Sequence, residues 1–334
     1  MKSRAIVAVE NGKIEVRPVE PREVGAWDLK IELESSAVSP GTETYIVTEL
    51  VDDTPLIPGY GPIGRIVEAG SQTCSLFRVG DRVSYCCADP PVTGEKLLHG
   101  GHQSPAVMSL DPDKRDLKSP DGYCVKVPDG LSSELAAFGG IASVSSMAAT
   151  MPQPKPGDTV LVIGQGVIGQ FCAQHFSLRG AEVAVADLHA GRLGISKACG
   201  ADHVINASEV DLVNAVKDIW PDGADIVADA SASTEVVEDT IEAVKPRGKY
   251  VFVGSYQSDL NIHCLQGTRV FEAFFPWTLT PEHVLHSWRM MIRGGLKVEP
   301  LITHRMNVDD AAAAFDVILN SPSEYTGVVF DWTR

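Results

Sequence analysis

Three glycines and one aspartate are spaced as a dinucleotide site would need them. Gly164, Gly166 and Gly169 follow the apolar run at 160–163, and Asp187 stands eighteen residues past the last glycine. In a strand–turn–helix the first glycine permits the tight turn, the second lets backbone approach a pyrophosphate, and the third lets the helix lie close to its strand. The helix N-terminus adds unpaired N–H groups and a positive dipole end. Asp187 ends a second apolar run, 183–186, where a carboxylate can accept bonds from both ribose hydroxyls, each contributing roughly 1.5–3 kcal/mol. The same carboxylate repels a ribose phosphate, which favours NAD over NADP. Arg192 blurs that preference because it can meet a phosphate; its plain alternative is a solvated charge on a helix face. A glycine turn alone is weak evidence, since any tight turn wants glycine. Its placement between strand and helix, with the acid beyond, carries the reading.

The elements that must hold these residues can be traced along the chain. SRAIVAV and KIEVRPV flank Asn11-Gly12, a strong hairpin signal, and DLKIELESSAV, IPGYGPIGRIVEAG and FRVGDRVSY continue a β-rich stretch with frequent turns. No long helical pattern interrupts it, so a small barrel is expected. Residues 88–123 read as a loop-like surface excursion before YCVKV. From about residue 131 the chain turns to small-residue helices, and strands at 159–163, 182–186, 203–206, 225–229 and 249–253 then alternate with helical stretches. That alternation predicts a doubly wound parallel sheet, with RVFEAFF (269–275) as its sixth strand. Ser233 is the expected N-cap of the helix before KYVFV. HVLHSWRMMIRGG reads as a further helix, and the tail adds strand, helix and strand.

The 334 residues suffice for about two domains, and 44% apolar with 22% charged residues is an ordinary globular composition. A net charge of −16 argues against nucleic acid or an anionic membrane as partner, because neutralising phosphates needs clustered Lys and Arg. The run Ala5 to Val9 is too short for a secretory segment, and nothing approaches a membrane span. Seven scattered cysteines (Cys74, Cys86, Cys87, Cys124, Cys172, Cys199, Cys264) without C-x-x-C spacing read as reduced, mostly buried thiols, and the expected compartment is the cytoplasm.

The runs KIEVRPVEP, GRIVEAGSQTCSLFRVGDRV, VKVPDGLSSELAA, KPGDTVLVIGQGVIGQ, ACGADHVIN and LITHRMNVDDAAAAFDVI resemble, in order, the medium-chain dehydrogenase/reductases. The resemblance implies an α/β architecture: a GroES-like β-barrel catalytic domain from both chain ends (1–142 and 276–334), and an inserted Rossmann doubly wound parallel sheet (143–275). It also implies an active site in the cleft between them. Most alcohol-oxidising members hold a catalytic zinc, but the ligand positions here differ. The family's C-G-[ST]-[DE] is Pro40-Gly41-Thr42-Glu43, its P-G-H-E is Pro58-Gly59-Tyr60-Gly61, and its third ligand falls within one residue of Ile141. The lobe of four close cysteines is also missing. Zinc needs three or four converging N, S or O ligands, and these positions no longer offer them, so no metal and no zinc are expected in this chain. The S-P-G-T-E run and the closing T-G-V-V-F-D-W are similar to a zinc-less subgroup that includes bacteriochlorophyllide hydroxyethyl dehydrogenases.

Without zinc a protein group must hold the substrate hydroxyl. Thr42 matches the family's relay hydroxyl, Tyr45 stands where a relay histidine often lies, Tyr60 occupies a lost ligand position, and Glu43 flanks the relay. The plain alternatives are that Tyr60 fills the metal's volume, Glu43 braces the loop through backbone N–H groups, and Tyr45 lines the pocket. His102 matches a segment bordering the cleft. Phe275 and Trp277, with Phe274, are expected to wall an apolar pocket or to join a dimer contact through the sixth strand. At the cofactor the expected residues are Gly164, Gly166, Val167, Ile168, Gly169, Asp187, Arg192, Ala230, Val253 and Gly254.

The resulting expectation is a metal-independent, NAD-dependent dehydrogenase acting on a small molecule, a secondary alcohol or ketone such as a polyol, sugar, cyclitol or ring-borne hydroxyethyl group, and assembled as a homodimer. The alternatives are an NAD(P)H-dependent enone or quinone reductase, and a cofactor-binding protein that has lost catalysis.

Overall fold

A computed structural model describes residues 3–73, 75–114, 122–261, 271–276, 280–321 and 323–334. The chain forms two compact units, one of Met1–Ile141, Leu279–Trp288 and Ile302–Arg334, the other of Ala142–Thr278 and Arg289–Leu301.

The first unit starts with the hairpin that Asn11-Gly12 announces. Arg4–Val9 and Lys13–Pro18 pair antiparallel from Arg4↔Pro18 to Val9↔Lys13, and Gly12 takes a φ of 72° in the turn. The longest strands, Asp28–Ala37 and Tyr60–Ala69, form the middle of a second sheet, to which Arg82–Tyr85 and Cys124–Lys126 add on one side. The chain's far end closes the other side, with Gly327–Asp331 antiparallel to Asp28–Ala37 and parallel to Ile302–Asn307. Alternation along Asp28–Ala37 sends Leu29, Ile31 and Leu33 into a core shared with Ile66, Val83, Phe330 and Trp332, each almost fully buried. The segment read as a loop excursion contains a short strand, Ala106–Ser109, paired with Asp28–Ile31 and wholly buried. Its four residues carry no periodic signal of their own, so pairing with Asp28–Ala37 decides their conformation.

The second unit is one parallel sheet: β1 (Thr159–Ile163), β2 (Glu182–Asp187), β3 (His203–Asn206), β4 (Ala224–Asp229), β5 (Val244–Phe252) and β6 (Glu272–Phe274). Its order, β3-β2-β1-β4-β5-β6, is that of a doubly wound fold, with the switch point between β1 and β4. Val160, Leu161 and Val162 in β1 are completely buried because helices cover both faces, each side chain contributing about 1.5–3 kcal/mol. Helix α1 (Val167–Ser177) follows β1, is buried along most of its length, and stops before Gly180, whose φ is 85°. Ser233 caps the helix Thr234–Thr240, its side chain accepting from Val236 N at 3.2 Å. Arg289–Leu301 is tied to this unit by Gln174, which accepts from Lys297 N at 2.7 Å and donates to Lys297 O at 3.1 Å. Among the described residues no helix is long and apolar enough to cross a membrane.

Candidate active site

In the second unit each glycine of the turn has its own steric reason. Gly164 has a φ of 81°, and a Cβ there would lie 2.8 Å from Ser231 N and 2.9 Å from Ala230 C. A Cβ on Gly169 would lie 1.7 Å from Gly164 O, so the helix can approach the turn only with glycine. Gly166 faces open space and is the N-cap of α1 without a side-chain cap bond, which leaves the amides at Val167 and Ile168 to an anion. Ala230 N donates to Ile163 O at 2.8 Å, and Val253 N and Gly254 N donate to Asp229 O at 2.8 and 3.0 Å. These bonds set the ends of β1, β4 and β5 beside one another.

Asp187, 8% exposed, ends β2. Its Oδ2 accepts from Gln165 N in the glycine turn at 2.6 Å and its Oδ1 from His189 N at 2.8 Å. The carboxylate thus orients the turn, and its remaining lone pairs are what a ribose can use. Arg192 Nη1 stands 3.9 Å from Asp187 Oδ2, where it offsets part of the carboxylate's repulsion for a phosphate.

Sequence reasoning passed over a cluster at the end of β4. Asp229 is buried, accepts from Ser231 Oγ at 2.7 Å, and takes a short hydrogen bond from Tyr256 Oη. Burial pushes the Asp229 carboxyl up, and the Tyr256 and Ser231 bonds oppose that shift. Phe275 follows β6, is 64% exposed and stacks on Phe252 with centroids 4.7 Å apart; Trp277 lies outside the described residues.

In the first unit the short helix Pro40–Tyr45 carries Thr42, Glu43 and, at its last position, a half-buried Tyr45. Tyr60 opens the strand Tyr60–Ala69 between two constrained glycines. A Cβ on Gly59 would meet His102 at 2.6 Å, and one on Gly61 would meet Ala137 O at 1.9 Å. Tyr60 Oη lies 2.8 Å from His99 Nε2, the rings 4.2 Å apart, and Thr42 is close enough to lower its pKa slightly against the larger upward effects. Burial, reinforced by nearby Cys86 and Glu43, raises the Tyr60 pKa, so the phenol is held protonated. His99 was not singled out in the sequence; the only cue was a second histidine in HGGHQ.

Glu43 and His102 form a separate, wholly buried group. Glu43 Oε1 accepts from Ser39 N at 2.8 Å, and Oε2 is 3.0 Å from His102 Nε2. His102 Nδ1 meets Ser36 Oγ at 2.8 Å, and Trp332 Nε1 donates to Ser36 Oγ at 2.8 Å. Both nitrogens of His102 are engaged within the core rather than presented to an open pocket. The group ties the helix bearing Thr42 to the strand Asp28–Ala37.

The residues at the family's zinc positions do not fit that ion. Pro40 and Ile141 are buried and offer no donor, and the Tyr60 hydroxyl is engaged with His99. Three other donors do converge nearby, namely Cys86, Cys87 and His99. Cys86, Cys87, Cys124, Cys172 and Cys199 form no disulfide.

Comparison with known proteins agrees with this architecture. Residues 167–290 match the family model described as zinc-binding dehydrogenase. The L-threonine 3-dehydrogenase of Rhizobium rhizogenes is 26% identical over 344 residues, covering 93% of this chain and 92% of that one. The enzyme of the same name from Pectobacterium carotovorum is 26% identical over 358 residues, with 99% of each chain covered. Among solved structures, an oxidoreductase/dehydrogenase of unknown specificity involved in membrane biogenesis from Escherichia coli superposes with a TM-score of 0.86 at 20% identity, covering 99% of both chains. A putative zinc-binding dehydrogenase from Sinorhizobium meliloti bound to NADP gives 0.83 at 21% identity, again with 99% of both covered. The shared fold is α/β, with a Rossmann-like parallel sheet, and these neighbours imply a GroES-like first unit. The chain is thus similar to the zinc-binding dehydrogenase family model over 167–290 and, at 26% identity, to L-threonine 3-dehydrogenases along nearly its whole length.

Proposed function

We propose that this chain is an NAD-preferring dehydrogenase in which Tyr60 and Thr42, rather than a metal at the family's position, hold the oxygen of a secondary alcohol or ketone. The carrying observation is the Tyr60 hydroxyl, standing where the resembled family has a histidine ligand, 2.8 Å from His99 Nε2 and close to Thr42. An oxidoreductase acting on CH–OH groups agrees with the dehydrogenase names of the relatives. Oxidation sends hydride from the carbinol carbon to the nicotinamide, while the hydroxyl proton must leave. The substrate hydroxyl donates to Tyr60 Oη as the phenol's own proton leaves by way of half-buried Thr42 to solvent. Hydroxyls donate and accept, so reduction runs the same line in reverse. A phenol held protonated by its burial suits donation to a developing alkoxide.

The substrate class is a polyol, sugar or cyclitol, or a hydroxyethyl group on a larger ring; the last rests on the S-P-G-T-E and T-G-V-V-F-D-W runs. Asp187 supports NAD. Arg192, 3.9 Å from it, is the observation that favours a second reading, an NADPH-dependent reductase of enones or quinones. A homodimer joined through β6 is supported by that strand's place at the sheet edge. Tyr60→Phe is the test: kcat for alcohol oxidation falls by about 10²–10⁴ with NADH affinity unchanged. Unchanged kcat overturns the role of Tyr60, and tighter binding of NADPH than NADH favours the reductase.

A further inference from the structure

We propose that Cys86, Cys87 and His99 form a binding site for a thiophilic divalent cation, and that zinc, which suits two thiolates and an imidazole, is its ion. Cys86 Sγ lies 3.4 Å from Cys87 Sγ and 3.8 Å from His99 Nδ1, and all three donors fall within 4.8 Å of one another. Tetrahedral zinc, with bonds of about 2.3 Å to sulfur and 2.0–2.1 Å to nitrogen, sets its donors roughly 3.5–3.8 Å apart. The two separations from Cys86 Sγ match those of one coordination tetrahedron and the third stays within 4.8 Å, so a small side-chain adjustment closes three corners, with a fourth left for water or another ligand.

The backbone holds them there. Cys86 and Cys87 follow the strand Arg82–Tyr85, His99 follows Lys96–Leu97, and Cys87 N donates to His99 O at 3.2 Å. Cys87 and His99 have φ values of 61° and 64°, a left-handed conformation that residues other than glycine rarely take. Two such residues facing each other at one donor cluster fit the tendency of backbone strain to gather at functional sites. Cys86 is buried, and Cys87 and His99 are half-buried, so an ion can enter from solvent. Binding would release the two thiol protons and leave a neutral set of one cation and two thiolates. These positions are not the family's, which are Pro40, Tyr60 and Ile141 here. Adjacent cysteines and a histidine twelve residues on form no spacing that a sequence scan would select.

The site has a consequence for Tyr60. A metal-bound histidine usually donates its other ring N–H to an acceptor that fixes the tautomer. With the cation on Nδ1, His99 carries its proton on Nε2 and donates it to Tyr60 Oη at 2.8 Å. The proton of Tyr60 then points away from His99, toward the substrate oxygen in reduction and toward Thr42 in oxidation. His99 is on this account a positioning residue. Cation binding stands independently of the proposed reaction, whereas the link to Tyr60 rests on it.

Full-length protein, reduced and stripped with a chelator, is titrated with Zn²⁺ against a chromophoric competitor and separately loaded with Co²⁺. The expected result is one cation per chain, with thiolate-to-cobalt charge-transfer absorption and the intense d–d bands of a tetrahedral site. Cys86→Ser, Cys87→Ser and His99→Gln each lose binding, Tyr60→Phe weakens it by about 10–100-fold, and Cys199→Ser leaves it unchanged. His99→Cys, which restores a donor, keeps cobalt binding and adds charge-transfer intensity, so loss in the other variants is separated from loss of fold. Absence of stoichiometric binding overturns the site. So does binding that survives both cysteine substitutions, or reduced protein that binds no metal but forms a Cys86–Cys87 disulfide in air. Turnover is scored separately: a chain that binds cobalt but oxidises no alcohol refutes the reaction alone, and Tyr60-dependent turnover without cation binding refutes the site alone.

Discussion

Replacing Glu43 with glutamine separates a brace from a proton carrier. Glu43 accepts from Ser39 N and faces His102 Nε2, and beyond His102 lie Ser36 and Trp332. One arrangement satisfies every atom: His102 donates through Nε2 to Glu43, the Ser36 hydroxyl donates to His102 Nδ1, and Trp332 donates to Ser36 Oγ. Glutamine can keep the bond from Ser39 on its oxygen, but its amide nitrogen then faces His102 as a donor. His102 must accept at Nε2, carry its proton on Nδ1 and donate to Ser36, which leaves the buried Ser36 hydroxyl proton without an acceptor. Two charge-assisted bonds of about 1.5–3 kcal/mol become neutral ones of about 0.5–1.5, and an orphaned donor costs about 1–3 more, for a loss of roughly 3–6 kcal/mol. In urea unfolding the midpoint of the first unit falls by on the order of 1 M. As a brace, Glu43→Gln keeps kcat within about tenfold; as a proton carrier it loses about 10²–10⁴. An unchanged urea midpoint together with a collapsed kcat would refute the brace. Glu43→Ala leaves both Ser39 N and His102 without any acceptor and opens a cavity beside them, so it is unfit for separating the two roles.

Gly169→Ala places a methyl 1.7 Å from Gly164 O and is expected to lower thermal stability by more than about 2 kcal/mol, whereas Gly166→Ala meets nothing within 4 Å, folds normally, and weakens NADH binding by roughly tenfold or more; fluorescence titration and calorimetry separate the two. Asp187→Ser is expected to weaken NADH by about 10–100-fold, and Arg192→Ala to weaken NADPH more than NADH, so dissociation constants for both cofactors decide whether Arg192 reaches a phosphate. Arg22 donates to Asp28 Oδ2 at 2.5 Å and holds the Asp28 carboxyl below its ordinary value. A depressed folded pKa gives stability that is present above about 3.9, the unfolded value, and lost as pH falls through the folded value. Asp28→Asn should therefore be less stable than wild type at neutral pH and converge with it in acid, as urea midpoints across that range will show.

The parts of this molecule that could be read from its sequence are those whose constraints are local. Gly164, Gly166 and Gly169 each answer to atoms in the same turn or its neighbouring strand ends, and period and punctuation mark β1 to β5 before any contact is known. The hairpin at Asn11-Gly12 is local in the same sense. The first unit's site is not. Thr42, Tyr60, the adjacent Cys86 and Cys87, and His99 come from a short helix, a strand start and two segments that follow strands, and no spacing rule joins them. They meet because the strand Tyr60–Ala69 pairs with Asp28–Ala37 on one side and Arg82–Tyr85 on the other, which sets the start of the first strand against the turn after the last. Gly59 and Gly61, hemmed in by His102 and Ala137 O, bring whatever residue stands at 60 to that point. Comparing motifs finds tyrosine where the resembled family has a ligand histidine, and stops at that difference. The fold shows what the loss is set against: an imidazole 2.8 Å from the new hydroxyl, with two thiols behind it. Erasing one ligand set therefore says nothing about a second set a few ångströms away, because donor atoms answer to distance while motifs answer to position along the chain.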